Sequence, residues 1–283
     1  DRSMKRYSLI RRFTSRMLLQ IKKFCMQSGI DAEHIISMGA LSDRVTITGN
    51  TKYDETYVEV SEEEKQQLRH EFHFDGKGPV IVAGSTHNGE EEIILRIFGK
   101  ILKEYPDARL LLEVREITRA PSVRFLVKHF GYSVLRRSKM GTEEDDGRGH
   151  QVIILDTIGE LGRLYSLADV VFVGGSFVKV GGHNILEPAA HGKPVLVGPY
   201  MFNFREIFDL LSKRGVCCMA QNESELEKTL RDLLAHPEKM KAMGEAALSV
   251  VAENQGATKR NVDTFAKLAE KYKIDLMENT DEY

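Results

Sequence analysis

The sequence predicts an α/β protein whose core is a parallel sheet wound with helices on both faces, and three observations carry that expectation. Between residues 79 and 220 short apolar runs recur: PVIVAGST, ARLLLEVR, YSVLRRS, QVIILD, DVVFVGG, KPVLVG and GVCCMA. They are spaced by segments with helical periodicity, such as EEEIILRIFGKILKEY. Runs that are apolar throughout, rather than alternating, suit strands covered on both faces. Glycines then gather where the strands end, most densely in VGGSFVKVGGHNILEPAAHGKPVLVGP, Val173 to Pro199.

Each element follows from local chemistry. The N-terminal segment reads as a basic amphipathic helix, with Leu9, Phe13, Met17, Ile21 and Phe24 at helical spacing. Residues 1–24 carry Arg2, Lys5, Arg6, Arg11, Arg12, Arg16, Lys22 and Lys23 against the single acid Asp1. RVTITGNTKYD reads as a short strand running into a turn at Gly49-Asn50. SEEEKQQLRHEF opens with a serine cap and acids in its first turn, hence a helix. PVIVAGST starts the strand series, a helix follows it, and ARLLLEVR is the second strand. A helix near Ser122–His129 leads to YSVLRRS, QVIILD and DVVFVGG, with IGELGRLYSLA as a helix between the last two. SKMGTEEDDGRGHQ is expected to be a polar, mobile loop. KPVLVG and GVCCMA complete the strands. Beyond Asn222 the chain reads as helical to about Tyr272 and ends in an acidic tail expected to fray.

Composition narrows the function classes. At 283 residues there is room for one large α/β unit or two smaller ones. A hydrophobic share of 42% and a charged share of 29% are those of a globular chain. A net charge of −2 gives no global attraction to nucleic acid. Three cysteines, two of them the adjacent Cys217 and Cys218, argue for a reducing compartment rather than a disulfide framework. No apolar run is long enough to span a bilayer and no secretory signal is visible. The first residue is Asp rather than Met, so the chain is expected to be a fragment or a processed product.

In an open α/β sheet ligands collect outside the carboxyl ends of the strands. Four segments fall there: GSTHNGEEE (84–92), VREITR (114–119), DTIGEL (156–161) and GGSFVKVGGHNILEP (174–188). Gly84-Ser85-Thr86 reads either as a capped strand-to-helix turn or as part of a site. His87 reads as a surface or cap histidine or as a ligand group. Arg115, at the end of an apolar strand, must meet solvent, a carboxylate or a ligand anion. In 174–188, glycines free backbone N–H groups to point at an anion, and a helix starting near Asn184 adds its positive end. Glu187, one turn inside, is placed to accept hydrogen bonds from paired sugar hydroxyls.

At these residues the chain resembles a known family. GGSFVKVGGHNILEPAAHGKPVLVGP, preceded by GSTHNGEE and DTIGELGRLYSLADVVFVGGS, is similar to the 3-deoxy-D-manno-octulosonic acid (Kdo) transferases of lipopolysaccharide synthesis. The similarity reaches back to VTITGNTKYD. It implies a GT-B glycosyltransferase: two Rossmann-like domains facing a cleft, the nucleotide-sugar donor held by the C-terminal one. Residues 54–255 would then form the donor domain and 1–53 the end of the acceptor domain. Residues 256–283 would form a helix returning to the acceptor domain and the acidic tail.

The resemblance also implies the chemistry. The donor is CMP-Kdo, the acceptor lipid A or its precursor, the location the cytoplasmic face of the bacterial inner membrane, and no metal is expected. Arg115 matches the contact to the CMP phosphate, with Val114 lining the same place. Gly159, Glu160 and Leu161 match the nucleotide-holding loop and helix start. Asn184, Ile185, Leu186 and Glu187 match the phosphate- and ribose-binding stretch, and Gly175, Ser176, Gly182 and His183 belong to the same glycine segment. Ser85, Thr86 and His87 are placed to face the Kdo carboxylate or the phosphate. Two departures stand out. The family reads Pro-Arg-His before a second Arg, whereas this chain has Val114-Arg115-Glu116 with Arg119. The family's general base is an acceptor-domain carboxylate, expected upstream of Asp1, so none is assigned here. The alternatives are another GT-B transferase or an epimerase using UDP, and a non-catalytic nucleotide-binding module.

Overall fold

The computed structural model describes residues 11–54, 59–74, 76, 78–147 and 149–272. The chain divides into two compact units, Asp1–Thr56 with Ala252–Tyr283, and Tyr57–Val251.

In the first unit two short strands, β1 (Phe24–Met26) and β2 (Val45–Ile47), pair in parallel with Phe24 opposite Val45. The helix between them, Gly29–Ser37, starts at Ser28, whose hydroxyl accepts from the Asp31 N–H at 3.2 Å. The last helix, Ala257–Tyr272, belongs here because side chains tie down its start. The Asp54 carboxylate accepts from the Gly256 and Thr258 N–H groups, and Arg260 Nε donates to the Thr48 carbonyl at 2.7 Å. Helix Arg11–Leu18 has no buried residue, and Phe13 and Met17 are 63% and 55% exposed. Of the basic amphipathic segment, Arg2, Lys5, Arg6 and Leu9 lie outside the described residues, as does the acidic tail.

The second unit is built on seven strands: β3 (Val80–Thr86), β4 (Arg109–Val114), β5 (Val134–Arg136), β6 (Val152–Leu155), β7 (Val170–Val173), β8 (Val195–Val197) and β9 (Cys217–Met219). Their order is β5-β6-β4-β3-β7-β8-β9, and every pairing is parallel. The chain therefore starts at β3, builds to one side, then returns to the other side of β3 with β7. The strand order reverses between β3 and β7.

Apolar strand residues explain the layering. Helix Glu90–Glu104 lays Ile94, Leu95, Ile97, Phe98 and Ile101 on a core that includes Ile81, Leu110, Leu112 and Val170. Burying each such side chain is worth about 1.5–3 kcal/mol. The helix expected near Ser122 begins at Ala120, with a proline in its first turn, where a missing N–H costs nothing. The span IGELGRLYSLA is not one helix but a single α-turn, Leu161–Leu164, tightening to a 3-10 turn, Tyr165–Leu167, whose three residues are buried. The polar segment expected to be a mobile loop is internally bonded: the Asp145 carboxylate accepts from the Gly141 and Gly147 N–H groups.

Candidate functional site

Because all seven strands run in parallel, the four segments singled out in the sequence emerge at one edge of the sheet. Two of them, after β3 and after β7, flank the point where the strand order reverses. There the connections leave in opposite directions and open a crevice between strand ends.

A buried carboxylate holds this crevice together. Glu90, fully buried, accepts from four backbone N–H groups: His87 at 2.9 Å, Gly175 at 2.8 Å, Ser176 at 3.0 Å and Phe177 at 2.8 Å. This corrects the expectation that the glycine loop aims its N–H groups at a ligand, since at residues 175 to 177 they are taken. The carboxylate is instead an internal anion that fixes the β7 loop against the β3 loop. The loop is held on its other side by Asn203, which donates to the Val180 carbonyl at 3.0 Å.

The backbone at the end of β3 is strained where it meets β4. Ser85 adopts a left-handed φ of 56°, costly for a residue with a Cβ, and the β3–β4 register shifts between Ala83 and Thr86. The Ser85 N–H donates to the Glu113 carboxylate of β4. Burial pushes the Glu113 carboxyl up, opposed by that N–H and by the Arg115 and His87 charges. Gly84 beside it has no room for a side chain, because a Cβ would lie 2.3 Å from the Tyr165 hydroxyl. Tyr165 is held well above its ordinary pKa by burial and by the Glu187 and Glu113 carboxylates.

Two histidines meet across the crevice. His87, after β3, and His183, after β7, place their Nε2 atoms 2.8 Å apart with ring planes within 2° and centroids 5.1 Å apart. The loop makes room for this pair with Gly175, whose φ is +65° and whose Cβ would sit 2.9 Å from the His183 ring. Burial lowers the His183 pKa to about 4, helped by the charges of His87 and Arg115. Arg115 itself is exposed, and among the described residues its guanidinium makes no hydrogen bond or ion pair.

The remaining predicted residues divide by orientation. Asn184 and Glu187 are half-buried; the Asn184 amide donates to the Glu187 carboxylate at 3.0 Å while its oxygen accepts from the Leu186 N–H at 3.0 Å. The helix expected to start near Asn184 is short, Leu186–Ala190, so its dipole is a minor feature. Ile185 and Leu186 are fully buried, as is Val114, so these three offer a ligand only backbone. Thr86 and Ser176 are buried too. Thr86 donates to the Glu113 carbonyl, and Ser176 donates to the Val173 carbonyl at 2.6 Å and accepts from the Gly198 N–H at 2.8 Å. Their hydroxyls are structural. Arg119, the candidate second arginine, grips the buried Glu91 with both Nη atoms, at 2.9 and 3.1 Å. Glu116 is exposed.

Glu160 has an internal task as well. Burial alone would raise its pKa, but hydrogen bonds from Arg137, Thr157 and Arg163 outweigh that and bring it to about 2. Arg137 continues to Glu71 at 2.6 Å. The loop thus presents Gly159 to solvent, Ile158 at 88% exposure and the half-buried Leu161, rather than its carboxylate. Sequence reasoning missed Glu90, Glu113, Tyr165 and the pairing of the histidines. It also missed that ligand atoms of Asp145, Asp146 and His150 lie within 4.8 Å of one another; these precede β6 and so lie away from the carboxyl edge.

The chain is similar to known proteins. Residues 1–55 match the family model described as 3-Deoxy-D-manno-octulosonic-acid transferase (kdotransferase), and residues 142–250 match glycosyl transferases group 1. A 3-deoxy-D-manno-octulosonic acid transferase of Haemophilus influenzae is 38% identical over 263 residues, 93% of this chain and 60% of that protein. One from Aquifex aeolicus is 39% identical over 58% of this chain and 44% of its own length. The chain therefore spans about half the length of these curated relatives. Among solved structures, the C-terminal CMP-Kdo binding domain of WaaA from Acinetobacter baumannii superposes with a TM-score of 0.61 at 29% identity, over 67% of this chain and 96% of that one. The parallel sheet, its reversal between β3 and β7 and these likenesses define a GT-B glycosyltransferase fold. Within that class, residues 1–55 match the 3-deoxy-D-manno-octulosonic acid transferase model, and the chain is similar in sequence to a transferase of that name over 93% of its length.

Proposed function

We propose that the Tyr57–Val251 unit binds CMP-Kdo, and that the enzyme containing this chain moves Kdo to lipid A or its precursor in lipopolysaccharide synthesis. The observation that carries this reading is the match to nearly the whole of a CMP-Kdo binding domain, 96% of its length. Arg115, exposed beside the crevice, serves the CMP phosphate, with the backbone of Val114 alongside. Glu187 takes the ribose hydroxyls. Gly159 and the start of the following turn hold the nucleotide, and Ser85, His87 and His183 lie towards the phosphate and the Kdo carboxylate. The first unit supplies the end of the acceptor domain.

The chemistry asked of this half is modest. The leaving group is a phosphate ester, and fixed cations and N–H donors favour its departure by meeting the charge that develops on it. An oxocarbenium-like sugar remains, which an acceptor hydroxyl attacks. The general base is assigned to none of these residues. Titration calorimetry tests the donor assignment, with CMP expected to bind more tightly than UMP or UDP. Equal or tighter binding of the uridine nucleotides would replace this reading with a UDP-dependent one.

A lipid acceptor requires a meeting with a membrane, and no helix among the described residues is long and apolar enough to cross one. We place the chain as a peripheral protein at the cytoplasmic face of the inner membrane. Helix Arg11–Leu18 favours that reading, because Arg11, Arg12 and Arg16 flank the exposed Phe13 and Met17. Each cation near an anionic surface contributes about 1 kcal/mol. Replacing the three arginines with Gln in the full-length enzyme is expected to cut co-sedimentation with anionic vesicles and flatten its salt dependence. Undiminished binding would leave the basic face as solvated surface.

A further inference from the structure

We propose that His87 and His183 form an anion-responsive pair: they bond to each other, and a phosphate monoester bound beside Arg115 parts them and takes an N–H from each ring. The inference rests on the reading of this edge as the donor site and adds to it a proton-coupled recognition step.

The geometry leaves few ways to protonate the pair. Two Nε2 atoms 2.8 Å apart need a hydrogen between them, and two imidazolium rings would bring two N–H groups into collision. With both rings neutral, one carries its proton on Nε2 and donates; the other carries its proton on Nδ1 and accepts. The rings are presented by loops 96 residues apart, and both loops are stapled by the same Glu90 carboxylate, through the His87 and Gly175 N–H groups. Gly175 lies directly behind the His183 ring. The pair is therefore held on a rigid backbone, and what changes is its protonation.

Two other charged groups act on it, Arg115 and Glu113, from β4 and its end; Glu90, from the helix after β3, accepts within the pair only from the His87 backbone N–H. The Glu90 oxygens are occupied by backbone N–H groups and Glu113 accepts from Ser85. Neither offers the rings a strong acceptor. Burial lowers the His183 pKa to about 4, and the Arg115 charge disfavours a further positive charge beside it. A phosphate dianion reverses that balance. The accepting ring takes one proton from solvent at Nε2, the mutual bond opens, and two Nε2–H groups then face phosphate oxygens beside the Arg115 guanidinium.

Calorimetry of CMP binding at pH 7.5, repeated in buffers of different ionisation enthalpy, measures the protons taken up. The wild-type chain is expected to take up a substantial fraction of one proton more than His87→Gln or His183→Gln, whose affinity for CMP should fall roughly ten- to a hundredfold. Nitrogen-15 spectra of labelled histidine should show one Nε2–H and one Nδ1–H ring in the free chain, and Nε2 protonated on both with CMP. These spectra need only the wild-type chain, so they decide even if a variant folds poorly. CMP binding with unchanged tautomers and no difference in proton uptake would overturn the pair while leaving the donor site standing. Absence of CMP binding would sink both readings.

Discussion

Glu90→Ala is expected to lower the free energy of unfolding by about 3–5 kcal/mol, the range found when one member of a buried charged network is removed. The carboxylate accepts from four backbone N–H groups, and those of Gly175 and Ser176 are themselves buried. Each donor stranded there costs about 1–3 kcal/mol. Glu90→Gln sharpens the test. Both carboxylate oxygens accept two N–H groups each, so an amide NH2 in either place would oppose two donors. Gln is therefore expected to be nearly as harmful as Ala despite its matching shape. Urea denaturation measures both, read as a drop in midpoint at constant slope. The neighbouring Glu92→Gln serves as the control, since Glu92 is half exposed and, among the described residues, pairs only with Arg96; its effect should stay within about 0.5 kcal/mol. A Glu90→Gln chain as stable as the wild type would remove the staple from the account, and with it the shared rigidity of the two loops.

The second large effect falls on binding. Glu187→Ala is expected to weaken CMP by about 1–3 kcal/mol, roughly five- to 150-fold, through loss of charge-assisted bonds to the ribose hydroxyls. Glu187→Gln keeps one acceptor and should fall between. The competing view makes Glu187 a first-turn acid that serves the five-residue helix Leu186–Ala190 and the Asn184 amide. That view predicts lost stability and unaltered CMP affinity. Calorimetry and thermal melts on the same samples separate the two. A folded Glu187→Ala chain with wild-type affinity would take Glu187 out of the donor site.

Much of the fold was legible because local periodicity reports local structure. Ser61 before three glutamates reads as a cap and acts as one, accepting from Glu64 N–H. The apolar runs became strands, and a single parallel sheet brought the four segments after them to one edge. The errors share a cause. The run Glu90-Glu91-Glu92 gives no hint that the first two are buried and the third exposed. Glu90 is buried because a loop from β7, 85 residues later, brings N–H groups to it. Glu91 is buried because Arg119 clasps it. Arg115 and Arg119 look alike in the sequence, yet one is committed to a carboxylate and the other is not. The left-handed Ser85 left no trace at all, since nothing in its neighbours demands that conformation.

By itself the sequence determined the type of most long elements of the large unit, the points where its strands end, and a glycine motif specific enough to mark a family resemblance. These are properties of short stretches, fixed by hydrophobic spacing and by the backbone freedom of glycine. The same reading carried the N-terminal helix on to Phe24, where the chain is a strand, and placed no helix at Gly29–Ser37. Only the tertiary structure decided which polar groups are spent inside the fold and which remain for a ligand. Glycine-loop N–H groups, the Thr86 and Ser176 hydroxyls and the Glu160 carboxylate were spent; Arg115 remained, and His87 and His183 found each other. The physical reason is that a buried polar group must be satisfied by whatever partner the packing brings. In this sheet those partners come from strands that are neighbours in space and far apart in the chain.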